Sequence, residues 1–212
     1  MQLLLASTST VHGAPYLSYL RDEWTRLFAG RLVVFVPYAR PGGLSWDAYT
    51  ARPKAVFAAE GITLKGVHEF AAVEEAAQHA EAWFVGGGNT FVLRRTLDDT
   101  GLTPFLDASV RGGVPYMGSS AGINLAGISI GTTNDMPVVE VPTHRAMGWL
   151  PFNLNPHYQD PVAGSTHMGE TREQRIAEFH VFNPQPVVGL REGSWITSDG
   201  QHHELHGPHS AR

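Results

Sequence analysis

Short apolar runs alternate along the chain with longer stretches in which hydrophobic residues recur every three or four positions. The first five apolar runs are residues 3–6, 32–36, 62–67, 83–85 and 114–117. Each is separated from the next by a segment long enough for a crossover helix, a rhythm typical of a parallel sheet. One predicted helical face, between the first two runs, carries Leu17, Leu20, Trp24, Leu27 and Phe28. The pattern predicts a three-layer α/β/α sandwich with a mostly parallel central sheet.

Further helices are predicted at residues 55–60, 73–80, 90–97 and 102–110. The pattern is looser after Gly122, where prolines become frequent and short strands are predicted at residues 129–131 and 137–141. A helix over residues 172–182 is indicated by Thr171 with Gln174 three positions later, an arrangement in which two side chains satisfy exposed amides. Residues 187–190 and 195–197 are predicted to form the last two strands.

Composition limits the classes of protein that fit. With 212 residues, 42% of them hydrophobic, residues 1–212 suit a single domain with a polar segment at about 201–212. A net charge of −5 without a basic run argues against a nucleic-acid partner. The apolar runs are too short to span a membrane, so we expect a cytoplasmic protein. The absence of cysteine excludes thiolate chemistry and leaves oxygen or nitrogen nucleophiles.

The strongest candidate for chemistry is a Gly-x-Ser-x-Gly turn. Gly118 to Gly122 follow the apolar run 114–117, so the turn lies where a strand should end and a helix begin. Two glycines permit a sharp elbow there, which leaves the hydroxyl of Ser120 protruding toward a substrate. Ser120 is therefore the predicted nucleophile.

A serine hydroxyl needs a base and a group that orients the base. Pro156 fixes the backbone before His157, which makes His157 the preferred base over His144 and His167. Asp135 and Glu192 compete as the orienting acid. Only fourteen residues separate Asp135 from Ser120, too few for another strand and crossover, whereas Glu192 follows the predicted strand 187–190. Glu192 is favoured.

Two backbone amides are candidates for binding a developing oxyanion. Gly86-Gly87-Gly88 ends a predicted strand and opens a helix, so the amide of Gly88 can face the same sheet edge as the elbow. The amide of Ala121, directly after the nucleophile, is the second candidate. A nucleotide-binding loop is the competing interpretation, but the third glycine of that pattern is missing and no Gly-Lys-Ser/Thr follows.

Taken together, the motifs resemble the peptidase E family of α-aspartyl dipeptidases. The matching segments are 85–91 (VGGGNTF), 118–122 (GSSAG), 132–137 (TTNDMP), 155–157 (NPH), 169–175 (GETREQR) and 189–195 (GLREGSW). The resemblance implies a class I glutamine-amidotransferase-like, flavodoxin-like fold and a Ser120, His157, Glu192 triad. It also implies cleavage of dipeptides with amino-terminal aspartate, without metal or cofactor, by a cytoplasmic protein that is often a homodimer. Ser119 departs from the family, where tryptophan usually precedes the nucleophile.

An aspartyl substrate needs a cation for its side-chain carboxylate and an acceptor set for its α-ammonium. Arg172, in the first turn of the helix after Thr171, is the predicted cation, with Arg175 as the fallback. Asp135 is the candidate for the ammonium group, and Asn89 and Thr90 are candidates for further hydrogen bonds.

Two alternatives to an Asp-X dipeptidase stay open at this stage. The first is a related hydrolase that acts on β-aspartyl peptides of the cyanophycin type or on small esters. The second is a binding module that has the same fold but no catalytic activity.

Four histidines lie near the carboxyl terminus: His202, His203, His206 and His209. They lack carboxylates at ordered spacing and are interpreted as a solvated tail rather than a metal site.

Overall fold

The main sheet of the protein is built from the elements that the apolar runs predict. The computed structural model describes residues 1–40, 42–161, 164 and 169–207. Its strands are β1 (Leu3–Ala6), β2 (Leu32–Val36), β3 (Thr63–Gly66), β4 (Ala82–Val85), β5 (Tyr116–Ser119), β6 (Asn153–Pro156), β7 (Val187–Leu190), β8 (Trp195–Ser198) and β9 (His203–His206).

Seven of these strands form one sheet in the order β3-β2-β4-β5-β1-β8-β9. Strands β3, β2, β4, β5 and β1 are parallel, and β8 and β9 complete the edge in antiparallel pairing. Strands β6 and β7 pair in parallel as a separate small sheet. The carboxyl ends of the parallel strands share one edge, where ligands of open α/β sheets bind.

Helices cover both faces of the main sheet. They are α1 (Arg21–Phe28), α2 (Trp46–Ala58), α3 (Val73–His79), α4 (Thr90–Asp99), α5 (Leu102–Arg111), α6 (Ala121–Asn124) and α7 (Arg172–Phe182), with 3₁₀ turns at Ser18–Leu20, Val67–Glu69 and Ile130–Thr132. The predicted α/β class with a mostly parallel sheet is thereby confirmed. Among the described helices, none combines the length and the apolar character that a bilayer crossing requires.

Two hydrophobic clusters lie on opposite faces of the sheet. Side chains alternate along a strand, so Trp83 and Tyr116 enter the first cluster, whereas Phe84 and Met117 enter the second. The first cluster packs against helices α3 to α6, and the second against α1 and α2. Strands buried on both faces read as continuous apolar runs, which is why the sequence pattern located them.

Three predictions about the second half of the chain were wrong. Residues 137–141 form no strand, and residues 129–131 contribute to the 3₁₀ turn Ile130–Thr132, with one isolated bridge between Ser129 and Arg145. The segment interpreted as a solvated tail instead pairs as β9 with β8 over His203–His206. The hydroxyl of Ser198 bonds the ring of His203 at 2.8 Å, and that of Thr197 bonds His206 at 2.7 Å. His209 lies outside the described residues.

Helix α7 begins as predicted. The Thr171 hydroxyl accepts from the Gln174 amide at 3.1 Å, and the Gln174 side chain accepts from the Thr171 amide at 2.7 Å. This reciprocal cap satisfies two donors at the helix start. None of the residues of this helix is buried. The helix contacts the 3₁₀ turn Ile130–Thr132 through partly exposed residues.

Candidate active site

Ser120 lies on a strained turn between β5 and α6. Its backbone has φ 52° and ψ −115°, a conformation rare for residues with a side chain. The neighbouring glycines are sterically required. A Cβ at Gly118 would lie 2.8 Å from the carbonyl of Gly122, and a Cβ at Gly122 would collide with the carbonyl of Val85. The elbow therefore forms because both positions lack side chains, and it presents the half-buried Ser120 at the sheet edge.

Three predicted side chains meet at this edge in hydrogen-bonding succession. The Nε2 atom of His157 is 2.8 Å from the Ser120 hydroxyl, and its Nδ1 atom is 2.9 Å from Oε1 of Glu192. The three residues come from the β5–α6 turn, the end of β6 and the turn after β7. The side chains of His157 and Glu192 are 34% and 47% exposed, which leaves the series open to a small molecule.

The end of β1 fixes both the nucleophile and the base, a role that the sequence analysis missed. The carbonyl of Ala6 accepts from the amide of Ser120 at 3.0 Å. The buried hydroxyl of Ser7 accepts from the amide of His157 at 2.9 Å and donates to the carbonyl of Leu190 at 2.7 Å. His157 has φ 55°, and these bonds hold its backbone in that unfavourable region. A single hydroxyl thus joins the main sheet to the small sheet.

Replacing Ser7 by Ala is expected to reduce the free energy of unfolding by about 2 kcal/mol, because two buried backbone groups each lose a partner. The rate constant kcat should fall more than KM rises, since the His157 ring loses its backbone anchor. Chemical denaturation and steady-state kinetics with a dipeptide measure the two effects. The matched control for stability is Ser119→Ala, because the buried Ser119 hydroxyl has no partner among the described residues. Equal stability of the two variants would contradict the anchoring role.

Asp135 is bonded to the start of α4. Its Oδ2 accepts from the amide and the hydroxyl of Thr90 at 2.8 and 2.6 Å and from the hydroxyl of Thr133 at 3.0 Å. Thr90 is fully buried and also accepts from Asn124 at 3.0 Å. Asp135 and Glu192 were the two candidates for the acid that orients the base, and Glu192 is the one that contacts His157.

Asn89 caps the same helix. Its Oδ1 accepts from the amides of Phe91 and Val92 at 3.0 and 3.1 Å, and its Nδ2 donates to the carbonyl of Met136 at 2.8 Å. Asn89 and Thr90 therefore already use their polar atoms within the protein. Both residues fix the helix start and, through Thr90, the orientation of the Asp135 carboxylate.

The two amides predicted to face an oxyanion lie beside the elbow. Within the described residues, neither the amide of Gly88 nor that of Ala121 donates a hydrogen bond to the protein. Gly88 has φ 143°, and a Cβ there would collide with the carbonyl of Ala39, so only glycine fits. At Gly87 a Cβ would lie 3.4 Å from the Ser120 hydroxyl. The glycine loop thus runs directly alongside the nucleophile.

Arg172 opens α7 close to Asp135. Partial burial lowers the pKa of Arg172, as does the charge of Arg175, while the negative charge of Asp135 counteracts both. Arg172 forms no ion pair with a carboxylate in the described ranges, whereas Arg175 lies 3.5 Å from Glu170. Of the two arginines, Arg172 is the one left with unused donors beside the site.

Of the competing histidines, His144 does not share this position. The ring of His144 is exposed and packs edge-on against Phe91 at 5.9 Å, and His167 lies outside the described residues. Sequence reasoning also missed Tyr49, whose buried hydroxyl donates to the carbonyl of Gly87 at 2.9 Å. Both missed contacts, those of Ser7 and Tyr49, join segments far apart in the chain, which leaves no local pattern to find.

A hydroxyl, an imidazole and a carboxylate in succession on a strand-to-helix elbow define the class of the protein as a serine-type hydrolase with an α/β fold. The model of peptidase family S51 matches residues 3–206. The chain belongs to peptidase family S51, which confirms the resemblance that the motifs carry.

Named relatives agree with this membership. Peptidase E of Streptomyces coelicolor is 50% identical over 213 residues, covering 100% of this chain and 86% of that protein. A Drosophila melanogaster protein named "Probable alpha-aspartyl dipeptidase" is 44% identical, covering 99% of this chain and 88% of the other. The solved structure of a peptidase from an acI-B1 Actinobacterium shares the fold, with a TM-score of 0.70, 16% identity and coverage of 99% and 88%.

Proposed function

We propose that this protein is a dipeptidase that hydrolyses Asp-X dipeptides through an acyl-enzyme on Ser120. The observation that carries the proposal is the continuous series from the Ser120 hydroxyl through His157 to Glu192, with both links below 3 Å. The names of the relatives from Streptomyces and Drosophila support the aspartyl dipeptide as substrate.

The geometry supports a two-step reaction. The Ser120 oxygen attacks the carbonyl carbon of the aspartyl residue while Nε2 of His157 takes the hydroxyl proton. The carbon–nitrogen bond then breaks, and His157 delivers that proton to the departing amine of residue X. A water molecule next attacks the ester carbon, with His157 again removing a proton, and free aspartate leaves as Ser120 regains its hydrogen. Glu192 stabilises the imidazolium and fixes the ring through Nδ1.

Charge that develops on the carbonyl oxygen requires donors that are already in place. We assign this role to the amides of Gly88 and Ala121, which flank Ser120 and have no acceptor in the described part of the protein. The Tyr49 hydroxyl supports the loop by holding the carbonyl of Gly87 at 2.9 Å. No reorganisation is then needed when the oxyanion forms.

Arg172 and Asp135 are the proposed recognition pair for the aspartyl residue. Arg172 offers unpaired donors to the side-chain carboxylate, and Asp135 offers its remaining carboxylate oxygen to the α-ammonium group. Asn89 and Thr90 support this pair indirectly, because their polar groups fix the start of α4 and the Asp135 carboxylate. Recognition of both charges explains why an amino-terminal aspartate would be preferred.

Replacing Arg172 by Ala is expected to lower kcat/KM for Asp-Leu by about 10²-fold, because a charged carboxylate loses its partner in a partly buried site. The kcat/KM for Asn-Leu, whose side chain carries no charge, should change by less than about threefold. The ratio of the two kcat/KM values is the measurement. Arg175→Ala, on the same helix turn and already paired with Glu170, is the comparator. If Arg172→Ala lost equal activity on both dipeptides, Arg172 would have a structural role. If Arg175→Ala, and not Arg172→Ala, lost activity selectively on Asp-Leu, Arg175 would be the residue that binds the side-chain carboxylate.

A substrate panel tests the proposed function directly. Asp-Leu, a β-aspartyl-arginine peptide and a chromogenic ester are incubated with the protein, and Asp-Leu is expected to have the highest kcat/KM. A serine-reactive phosphonate should label Ser120 in the same preparation. Faster turnover of the β-aspartyl peptide or the ester would redirect the substrate assignment. Absence of both labelling and hydrolysis would favour a binding module.

A further inference from the structure

Two arginines, Arg40 and Arg52, have no carboxylate partner in the part of the chain that the structure describes. The chain carries 20 acidic and 15 basic residues, so most of its arginines can find an acid. Arg40 and Arg52 are both exposed, and neither forms an ion pair within the described ranges. Two uncompensated cations close together form a local positive field.

Both guanidinium groups pack on buried tyrosine rings. The central carbon of Arg40 lies 4.8 Å from the ring centre of Tyr49, and that of Arg52 lies 4.7 Å from the ring centre of Tyr16. Burial raises the pKa of both tyrosines, and the two arginine charges partly oppose that rise. Both phenols therefore stay protonated donors, and the four side chains form one cluster, which we call the Arg40 cluster: Tyr16, Arg40, Tyr49 and Arg52.

The Arg40 cluster adjoins the nucleophile through the glycine loop. The hydroxyl of Tyr49 donates to the carbonyl of Gly87 at 2.9 Å. A Cβ on Gly87 would lie 3.4 Å from the Ser120 hydroxyl, so one residue separates the cluster from the reacting atom. Arg40, packed on the Tyr49 ring, is thereby linked to the nucleophile through Tyr49 and Gly87.

Two hydroxyls in this region are buried without a partner. They are the Tyr16 hydroxyl and the Ser119 hydroxyl, neither of which bonds another described group. Ser119 lies on the same face of β5 as Met117, because side chains alternate, and Met117 packs in the cluster that contains Tyr16 and Tyr49. A buried hydroxyl without a hydrogen-bond partner is unfavourable. Because the Tyr16 hydroxyl is enclosed, the parts of the Arg40 cluster that a ligand can reach are the exposed guanidinium groups of Arg40 and Arg52.

The Arg40 cluster and the Arg172–Asp135 pair flank Ser120 on opposite faces of the sheet. Tyr16 and Tyr49 belong to the hydrophobic cluster under α1 and α2. Asp135 is bonded to the start of α4, which packs in the cluster on the other face. An Asp-X dipeptide also carries two carboxylates, one on each side of the bond that is cut. The protein therefore has arginines on both sides of Ser120, and the substrate has a carboxylate on both sides of the bond that Ser120 attacks.

We propose that Arg40 and Arg52 bind the α-carboxylate of the leaving residue X. This inference rests on the proposed function and extends it, since it explains how the protein would distinguish a dipeptide from a longer chain. A longer peptide has an amide at this point and offers no negative charge to the two arginines. The subsite selects for a free carboxyl terminus immediately after the cut bond.

The test compares Asp-Leu with Asp-Leu amide, which differ only in that carboxylate. The Arg40→Ala/Arg52→Ala double variant is expected to lose about 10²-fold in kcat/KM for Asp-Leu, mostly through KM, and to change little for the amide. Arg95→Ala, an exposed arginine paired with Asp99 on α4, is the matched control and should leave both substrates unaffected. Equal losses on acid and amide, or no loss on either, would overturn the subsite.

A binding measurement separates failure of the subsite from failure of the proposed function. Calorimetry with Ser120→Ala needs no turnover and compares the Kd values of Asp-Leu and Asp-Leu amide. We expect tighter binding of the acid by about tenfold or more, and loss of that preference in the Ser120→Ala/Arg40→Ala/Arg52→Ala variant. Equal affinity for acid and amide with Arg40 and Arg52 present, or no binding of either, would refute the subsite. If Ser120→Ala bound Asp-Leu more tightly than the amide but the unmodified protein did not hydrolyse Asp-Leu, the subsite would stand and only the peptidase assignment would be refuted.

Discussion

Replacing Ser120 by Ala is expected to lower kcat toward Asp-Leu by about 10⁴- to 10⁶-fold, since nucleophile and base act as a unit. The fold should persist. Alanine and serine both carry a Cβ, so the cost of φ 52° is the same for both, and the backbone amide still bonds the carbonyl of Ala6. Single-turnover assays measure the loss, and a thermal melt verifies folding.

The control for this variant is Ser18→Ala, which removes an exposed hydroxyl that bonds only the carbonyl of Pro15. Its kcat should equal that of the unmodified protein. Substantial hydrolysis by purified, folded Ser120→Ala would show that a different group attacks the substrate. Phosphonate labelling of the same variant should also disappear, which gives a second readout independent of the dipeptide.

Replacing His157 by Gly is expected to cost about 10⁴-fold or more in kcat, because the hydroxyl of Ser120 loses its proton acceptor. Glycine is the informative choice at this position. The backbone has φ 55°, where glycine is unstrained, whereas a residue with a Cβ carries a penalty of about 1–2 kcal/mol. His157→Gly should therefore melt no lower than His157→Ala, so that the kinetic loss reports on the missing ring.

Added imidazole provides the positive test of this assignment. The His157 side chain is 34% exposed, so a free imidazole can reach the space it leaves, and the rate of His157→Gly should rise with imidazole concentration. His144→Ala, which removes an exposed ring packed on Phe91, should keep full activity. Full activity of His157→Gly without imidazole, or inactivity of His144→Ala, would reverse the choice of base.

The parts of the fold that the sequence predicted are those whose signal is local. Strand β1 and helix α7 were predicted with the observed bounds, since one is an apolar run buried on both faces and the other opens with a reciprocal side-chain cap. The elbow was predictable for the same reason, because Gly118 and Gly122 lie beside Ser120. The partners His157 and Glu192 could be nominated from the proline and the strand that precede them.

The missed parts depend on contacts between distant segments. Strand β6 has the sequence Asn-Leu-Asn-Pro, which reads as a turn. It is held by hydrogen bonds to residues more than 20 positions earlier: the side-chain oxygen Oδ1 of Asn153 accepts from the amides of Ile128 and Ser129, and the Thr132 hydroxyl donates to the carbonyl of Leu154. The support given by Ser7 to His157, 150 residues later, has no local signature either. Tertiary contacts decide such elements.

The placement of β1 between β5 and β8 has a consequence for synthesis of the protein. Both strands that pair with β1 are synthesised more than a hundred residues after it, and β8 follows β5 by more than seventy residues. Until Glu192 has emerged and the small sheet has closed against Ser7, a nascent chain holds an alcohol without its assembled activating groups. Hydrolytic activity would thus arise only after the chain has been synthesised beyond Glu192 and strands β6 and β7 have paired.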